Sequence, residues 1–260
     1  MTTIELEYEL ASVYDKFLTQ FSEKREISKE TGIITDSKKR FSGYLFLGEK
    51  YLSSPKKIMF IGLDLGSDEC VGNNTYHRFA TKWKAIKIDS WNDKVYGHHL
   101  AGSYMIALYV LKEWILEYKE CWDNTISTVS DRQNKWVTNH LGIDNSLPVD
   151  VWDRLAFTNL HKFVTIERKK KGGGQDRKWI DEGLEKSLLK QEIALLNPDV
   201  IICQGYEGYS FIKNCANDRI VIPTAHPSSC KIPKSEIDKY NPQTVKYSEA
   251  KGKRIIESMR

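Results

Sequence analysis

Two proton-active side chains, Asp64 and His226, each follow a short apolar run. Asp64 comes directly after the run 58–63, and His226 follows the run 220–224. Short continuous apolar runs are typical of strands buried on both faces of a parallel sheet. Ligands of open α/β sheets bind outside the carboxyl ends of such strands, so we expect the acid and the histidine to converge at that edge. Together they suggest hydrolytic chemistry.

The residues next to these two groups favour a ligand site. Gly62 and Gly66 bracket Asp64, so this turn can present backbone amides and a carboxylate to a ligand. Ser228 and Ser229 follow His226 and can hold a phosphate oxygen through hydroxyl and backbone donors. The alternatives are structural: an aspartate that caps the next segment, and a histidine in a turn.

Two further residues fit recognition of a nucleobase. Asn159 lies at the end of the apolar run 155–160, and its amide offers the acceptor and donors that suit the edge of a pyrimidine. Phe79, next to Arg78, suits stacking on an extruded base. The alternatives are an asparagine that satisfies a turn and a phenylalanine in the core.

These residues must be positioned by strands that alternate with helices. The apolar runs predict strands over 58–63, 155–160, 200–203 and 220–224. Apolar residues at helical spacing predict helices over 4–24, 100–118, 179–196 and 209–215, with a last helix from 248. This alternation predicts an α/β fold, a three-layer α/β/α sandwich with a short, mainly parallel four-stranded central sheet. We expect one domain over 1–260, with an N-terminal helical extension (1–55), a core (56–230) and a basic C-terminal tail (231–260).

Charge and cysteine content permit a nucleic-acid partner and favour a reducing compartment. The 39 Lys and Arg residues exceed the 35 Asp and Glu residues by four, and six of these cations lie within 168–178. The five cysteines form no CxxC pair, which argues against a zinc site or a disulfide framework. The polar N-terminus does not resemble a signal peptide, and no apolar run is long enough for a membrane span. We expect a cytoplasmic protein that does not bind membranes.

Taken in order, these segments resemble the uracil-DNA glycosylase superfamily. The similarity covers residues 56–230 and rests on the segments Gly62-Leu63-Asp64-Leu65-Gly66, Arg78-Phe79, Thr158-Asn159-Leu160-His161-Lys162, Glu192–Ile202 and Ala225-His226-Pro227-Ser228-Ser229.

Three differences from the family pattern bear on substrate and cofactor. Leu65 stands where the family usually has proline. Gly66 stands where the most uracil-selective members have tyrosine, as in the mismatch-type and single-strand-selective-type members, which implies a pocket open toward the pyrimidine 5-position. The N-terminal cysteine pair of the iron–sulfur members is absent, so we expect no cluster, no other cofactor and no metal.

The resemblance implies roles for individual residues. Asp64 and His226 would be catalytic, and the base would contact Gly62, Leu63, Gly66, Phe79 and Asn159. The DNA would contact Arg78, Lys169, Lys170, Lys171, Arg177, Ser228, Ser229, Lys231 and Ile232. The implied activity is hydrolysis of the N-glycosidic bond of a flipped-out uracil or 5-modified pyrimidine, by a chain that we expect to be monomeric.

Other functions stay open at this point. The segment 61–67 also resembles the first phosphate loop of the actin-like sugar-kinase superfamily, although the sequence lacks that family's second acidic loop and its Gly-Gly segment. A glycosylase-like fold that only binds DNA is a third interpretation. Within the glycosylase interpretation, the role is either housekeeping repair or defence against foreign DNA that carries bulky modified pyrimidines.

Overall fold

The computed structural model describes residues 1–28, 32–35, 39–41, 44–63, 97–126, 148–165, 179–224 and 244–260. Their α-helices are α1 (Thr3–Ser22), α2 (Gly97–Leu111), α3 (Leu116–Cys121), α4 (Glu182–Leu196), α5 (Tyr209–Cys215) and α6 (Thr244–Met259). A π-helical turn covers Trp122–Ile126, and a 3-10 helix covers Val149–Arg154. The strands are β1 (Ile33–Ile34), β2 (Lys39–Phe41), β3 (Phe46–Leu47), β4 (Ile58–Gly62), β5 (Leu155–Asn159), β6 (Phe163–Thr165), β7 (Val200–Gln204) and β8 (Ile220–Thr224).

The main sheet is five-stranded, in the order β3-β5-β4-β7-β8. β5, β4, β7 and β8 are parallel, whereas β3 pairs antiparallel with β5 at the edge. The predicted α/β architecture with a mainly parallel sheet is therefore confirmed. The predicted count of four strands is wrong by one, because the two residues of β3 are too few to produce a periodic pattern.

Helices cover both faces of this sheet, because alternate side chains of each strand point to opposite faces. On one face Phe60, Phe157 and Ile202 belong to a core that includes residues of α2 and α6. On the other face Met59 and Ile201 belong to a core that includes residues of α1, α4 and α5. Every residue of β4, β5 and β7 is buried, which explains why these strands are apolar up to the polar residues Thr158, Asn159 and Gln204 at their carboxyl ends.

Residues 1–55 contribute to these packed layers. α1 begins with a capping box, in which Thr2 Oγ1 accepts from the Glu5 amide at 3.2 Å and the Thr2 amide donates to Glu5 Oε2 at 2.7 Å. The helix packs on α4, and β3 joins the main sheet. The buried face of α1 consists of Leu6, Leu10, Tyr14, Phe17 and Phe21.

A smaller antiparallel sheet of β1, β2 and β6 lies beside α1. The rings of Phe21 and Phe163 stack with their centroids 4.6 Å apart, and those of Phe17 and Phe41 lie 5.6 Å apart. This aromatic contact ties β6, which begins four residues after Asn159, to the N-terminal helix. None of the helices in the described stretches has the length and apolar character required to cross a membrane.

The predicted helix over 100–118 is interrupted, and this prediction is wrong at its centre. α2 ends at Leu111, and Ile115 has an extended backbone with φ −123° before α3 begins. The break lacks glycine and proline, so local sequence does not reveal it. Just after the break, α3 makes a contact with a residue distant in the sequence: the Tyr118 hydroxyl donates to Asp150 Oδ1 at 2.6 Å.

The other predicted helices differ from the observed ones mainly at their first residues. α4 begins at Glu182 instead of 179, because Asp181 caps it by accepting from the Leu184 amide at 3.0 Å. Its predicted end is confirmed, since Asn197 adopts the left-handed conformation with φ 42°. α5 has the predicted bounds, and α6 begins at Thr244 instead of 248.

Candidate functional site

The four parallel strands end at one edge of the main sheet, and this carboxyl edge is the candidate site. β5 lies on one side of β4, whereas β7 and β8 lie on the other, so the strand order reverses between β4 and β7. A reversal of this kind opens a crevice above the strand ends, and ligands of open α/β sheets bind there. The topology alone therefore predicts a ligand-binding crevice at the ends of β4 and β7.

One residue from each strand end forms a row along this edge. Gly62 is the register partner of Asn159, and Gln204 is the partner of Thr224. Ile61 pairs with Cys203, so the next residues, Gly62 and Gln204, stand side by side. Because side chains alternate along a strand, the row faces the same layer as Phe60 and Ile202, which is the layer of α2.

Gly62 is required here because the Asn159 side chain occupies the space above it. A Cβ atom at Gly62 would lie 2.6 Å from Asn159 Oδ1, which is closer than such atoms approach without displacement. Asn159 is only 3% exposed. The sequence predicts Gly62 and Asn159 as base-contacting residues, and the structure brings these two together.

Backbone hydrogen bonds continue the pairing of β4 and β5 past the last strand residues. The Leu160 amide donates to the Gly62 carbonyl at 2.8 Å, and the His161 amide donates to the Leu63 carbonyl at 2.9 Å. The chain is thus held on the carboxyl edge up to Leu63, the residue directly before Asp64. Leu63 also borders Gly205 and Gly208, where an added Cβ would lie 3.2 Å from its methyl carbons.

Gln204 is a polar residue of this edge that the sequence analysis does not select. Its side chain is 2% exposed, and its Nε2 donates to the Oγ of Ser103 in α2 at 2.6 Å. Its Oε1 would lie 3.6 Å from a Cβ at Gly62, so the Gln204 side chain also packs next to this glycine. One feature of the sequence could have identified Gln204: it is a glutamine that ends an apolar run directly before a glycine.

The turn after β7 crosses the end of β8. Gly205 has φ +130°, which other residues rarely adopt, and its amide donates to the Thr224 carbonyl at 2.9 Å. The Thr224 hydroxyl donates to the Cys203 carbonyl at 3.0 Å. These two hydrogen bonds hold Thr224 in place, and His226 follows it by two residues in the sequence. Neighbouring strands are about 4.8 Å apart, so the ends of β4 and β8 lie roughly 10 Å apart.

A buried polar network supports the Asn159 strand end from the opposite face. Lys162 Nζ donates to Glu192 Oε2 at 2.6 Å and to Thr158 Oγ1 at 2.7 Å. Thr158 in turn donates to Glu192 Oε2 at 3.1 Å, and the Tyr14 hydroxyl donates to Glu192 Oε1 at 2.6 Å. The two residues that bracket this strand end, Thr158 and Lys162, are therefore anchored to α4 and α1.

Glu185 holds the same turn through backbone contacts. Its Oε2 accepts from the Lys162 amide at 3.0 Å, and its Oε1 accepts from the amides of Ile180 and Asp181 at 2.9 and 3.2 Å. Burial raises the pKa of the Glu185 carboxyl, although these three donors and the Lys162 charge oppose the shift. The carboxylate thus joins the turn after β5 to the start of α4.

An aromatic ladder connects the turn after β5 with Trp179 and α5. The rings of His161 and Trp179 have centroids 4.4 Å apart, and those of Trp179 and Phe211 lie 4.9 Å apart. Trp179 follows directly on the basic segment 168–178, and β6 ends shortly before that segment at Thr165. The ladder therefore holds Trp179 next to His161, two residues after Asn159.

Of the predicted site residues, the structure describes Gly62, Leu63 and Asn159. The remaining ones lie outside the described residues: Asp64, Gly66, Arg78, Phe79, Lys169, Lys170, Lys171, Arg177, His226, Ser228, Ser229, Lys231 and Ile232.

In the described stretches, no group of three or more His, Cys, Asp or Glu side chains is arranged to hold a metal ion. The cysteines there, Cys121, Cys203 and Cys215, form no disulfide with one another. Burial raises the pKa of the Cys203 thiol to about 12, so this side chain is a neutral core residue of β7 at physiological pH.

A comparison with protein-family models and with curated proteins finds no match to this chain.

Proposed function

We propose that this protein is a monofunctional DNA glycosylase. It hydrolyses the N-glycosidic bond of a flipped-out uracil or 5-modified pyrimidine and leaves an abasic site. The observation that best supports the proposal is the pairing of Gly62 with Asn159 at the carboxyl edge, with a buried carboxamide over a glycine two residues before Asp64.

The strand order is compatible with a base held between the two catalytic groups. Asp64 follows the end of β4, and His226 follows the end of β8, two strands away on the same edge. The separation of those strand ends, roughly 10 Å, leaves room for a pyrimidine ring between side chains that reach inward from either side. Asn159 lies on the β5 side of Gly62, where its amide can contact the edge of that ring.

In the proposed mechanism, two different residues stabilise the two opposite charges that develop during bond cleavage. The sugar becomes positive and the leaving base becomes negative. Asp64 orients or deprotonates the attacking water and stabilises the oxocarbenium-like sugar. His226 donates a hydrogen bond to the pyrimidine O2 and so stabilises the departing anion, as the donors of an oxyanion hole do.

The remaining predicted residues bind DNA. Cations of the segment 168–178, together with Arg78, Lys231 and the hydroxyls of Ser228 and Ser229, contact phosphates. Phe79 stacks on the extruded base, and Ile232 fills the space that the base leaves in the duplex. The protein acts as a monomer in the cytoplasm and uses no cofactor.

A base-excision assay tests the proposal. Single- and double-stranded oligonucleotides carry uracil, hydroxymethyluracil, hydroxymethylcytosine or glucosylated hydroxymethylcytosine, and alkali cleaves the abasic product. The wild type should cleave at least one substrate, and Asp64→Ala and His226→Ala should each lower the rate by about two orders of magnitude or more. Asp218→Ala is the matched control, because Asp218 is an exposed aspartate in the turn before β8, at the opposite edge of the sheet.

The outcomes separate the competing functions. Faster excision of bases with large 5-substituents would support a role in defence against foreign DNA, whereas uracil as the best substrate in every context would indicate repair. DNA binding without cleavage of any substrate would favour a non-catalytic module. Thermal stabilisation by ATP without cleavage would favour the kinase-like alternative.

A further inference from the structure

The Tyr14 hydroxyl joins the N-terminal helix to two other parts of the fold. It donates to Glu192 Oε1 in α4 at 2.6 Å, and it accepts from the Leu45 amide at 3.0 Å. Tyr14 is only 4% exposed, and Glu192 is fully buried. A hydrogen bond to a buried carboxylate is among the stronger kinds, because the acceptor is charged and water does not compete for it. The hydroxyl is therefore a strong link between α1 and the layers around it.

Both contacts of the hydroxyl lead to β5, the strand that ends at Asn159. Leu45 directly precedes β3, which pairs with β5. Glu192 reaches the strand end itself, because its Oε2 accepts from Thr158 Oγ1 at 3.1 Å and from Lys162 Nζ at 2.6 Å. Thr158 directly precedes Asn159, and Lys162 follows it by three positions. The hydroxyl thus holds the segment that carries Asn159 from both sides.

The ring and the hydroxyl of Tyr14 have separate roles. The ring packs edge-on against Tyr44 with centroids 4.7 Å apart, and against Phe41 with centroids 6.4 Å apart. A phenylalanine would make the same ring contacts, so the packing of α1 does not require the hydroxyl. In the described part of the chain, the hydroxyl is the donor to Glu192 Oε1. Without it this oxygen is buried and unsatisfied, and the carboxylate must turn toward other donors and displace the side chains bound to its second oxygen.

We infer that Tyr14 is a positioning residue for base excision, and that it acts on Asn159 through Glu192. This inference rests on the glycosylase function proposed above, in which the Asn159 amide contacts the base. Tyr14 itself touches neither the base nor the DNA in that mechanism. Reaction rates depend steeply on the placement of groups that orient a substrate, so that a misplacement of about 1 Å caused by a distant substitution can lower a rate by about 10²-fold.

The effect should fall on the chemical step and not on DNA affinity. Asn159 orients the base after it has flipped, whereas contacts with phosphates dominate affinity, and the residues proposed to make those contacts belong to other segments of the chain. Tyr14→Phe removes the hydroxyl and keeps the ring. We expect it to lower the single-turnover excision rate by about tenfold. The Kd for an oligonucleotide with an uncleavable 2′-fluoroarabino nucleotide at the target position should stay unchanged.

A double-mutant cycle shows whether Tyr14 acts through Asn159. Asn159→Ala removes the amide, so Tyr14→Phe should have little effect on the excision rate that remains. A hydroxyl that only stabilises the fold would lower the rate by the same factor in both backgrounds. Amide hydrogen exchange gives a second readout that needs no substrate. Exchange over residues 158–162 should be faster in Tyr14→Phe than in the wild type, and unchanged exchange would contradict the link.

Tyr118→Phe is the matched control. The Tyr118 hydroxyl also donates to a carboxylate oxygen at 2.6 Å, that of Asp150, and Tyr118 is fully buried. It belongs to the core on the opposite face of the main sheet. Its loss should lower stability but leave the excision rate and the exchange of residues 158–162 unchanged. Thermal unfolding of each variant defines an assay temperature at which all of them are folded.

Each outcome supports or overturns the inference. An excision rate that falls in Tyr14→Phe, but not when residue 159 is alanine and not in Tyr118→Phe, supports it. A Tyr14→Phe variant with the wild-type rate, or with the same loss in both backgrounds, overturns the positioning role and leaves the glycosylase function intact. A wild type that excises no base on any substrate overturns the proposed function itself, and with it this inference.

Discussion

The Nζ atom of Lys162 lies 2.6 Å from the Oε2 atom of Glu192, and both side chains are fully buried. The Tyr14 hydroxyl donates to the other carboxylate oxygen, and Thr158 bridges the two charges. Removal of both charges from water has a large cost, which such a network offsets only when it is complete. The stability of the Asn159 strand end therefore depends on charge balance in the layer behind it.

Removal of one charge of this pair should be much worse than removal of both. Lys162→Met leaves the Glu192 carboxylate buried without its cation, and we expect the free energy of unfolding to fall by about 3–5 kcal/mol. The double variant Lys162→Met/Glu192→Gln is neutral and keeps an acceptor for Tyr14, so it should regain a large part of that loss. Urea denaturation measures both values. Equal losses in the single and the double variant would contradict this account.

Gly62→Ala should damage both the fold and the site. Its Cβ would lie 2.6 Å from Asn159 Oδ1, so the carboxamide must move. Overpacking of this kind costs about 1–3 kcal/mol of stability, and excision should fall because the amide that we propose to contact the base is displaced. Gly183→Ala in α4 is the matched control, since its Cβ meets nothing closer than 3.4 Å. A Gly62→Ala variant with wild-type stability and excision would refute the assignment.

Asp181 should stabilise the protein mainly as the cap of α4. Its Oδ1 accepts from the Leu184 amide at 3.0 Å, and its Oδ2 lies 2.7 Å from Lys24 Nζ. Asp181→Ala should lower the free energy of unfolding by about 1 kcal/mol, the usual effect of losing a cap. Asp181→Asn keeps the cap and loses the ion pair with the exposed Lys24, so its loss should be smaller. If both substitutions have the same effect at neutral pH, capping is not the dominant contribution.

The effect of the Asp181 charge should depend on pH in a defined direction. The hydrogen bond from Lys24, followed by that from the Leu184 amide, lowers the pKa of the Asp181 carboxyl. A lowered pKa in the folded state means that the charge stabilises the fold above the unfolded pKa of about 3.9 and ceases to do so as the pH falls through the folded pKa. The difference in stability between wild type and Asp181→Asn should therefore be present at neutral pH and shrink in acid. Denaturation across this range measures it, and a difference that grows in acid would show the opposite sign.

Gly252 lets α6 approach α2 closely. A Cβ at this position would overlap the Tyr109 ring and lie 2.9 Å from its Cγ atom. Alanine improves helix propensity by about 1 kcal/mol, but overpacking costs about 1–3 kcal/mol, so we expect Gly252→Ala to be destabilising or at best neutral. In combination with Tyr109→Leu, which removes the ring, the substitution should become stabilising. A double-mutant cycle measures this coupling, and additive effects would show that the two residues do not touch.

The sequence predicts the central sheet well because its strands are defined locally. The four strands predicted from short, mainly apolar segments are observed as β4, β5, β7 and β8, each within about one residue of the predicted bounds. The two-residue β3 escapes prediction because its existence depends on pairing with β5, more than a hundred residues further along the chain. The break between α2 and α3 is not predicted for the same reason. Asp150, which accepts from Tyr118 next to the break, is distant in the sequence, and no glycine or proline marks the break itself.

In the candidate site too, features that are local in the sequence are predicted, whereas contacts between distant residues are not. Gly62 and Asn159 are selected from their positions at strand ends, but the sequence suggests a permissive turn at Gly62, whereas the structure shows a glycine that admits the Asn159 side chain. The bond between Gln204 and Ser103 joins residues 101 positions apart, so no local pattern reveals it. The assignments of Asp64 and His226 stay predictions, and the excision assay tests them.

The contact of α1 with α4 has a consequence for the order in which the protein matures on the ribosome. Tyr14 and the acceptor of its hydroxyl, Glu192, are separated by 178 positions. At a synthesis rate of 5–20 residues per second, Glu192 is made about 10–35 s after Tyr14. During that interval the part of the apolar stripe of α1 that α4 later covers is available to chaperones.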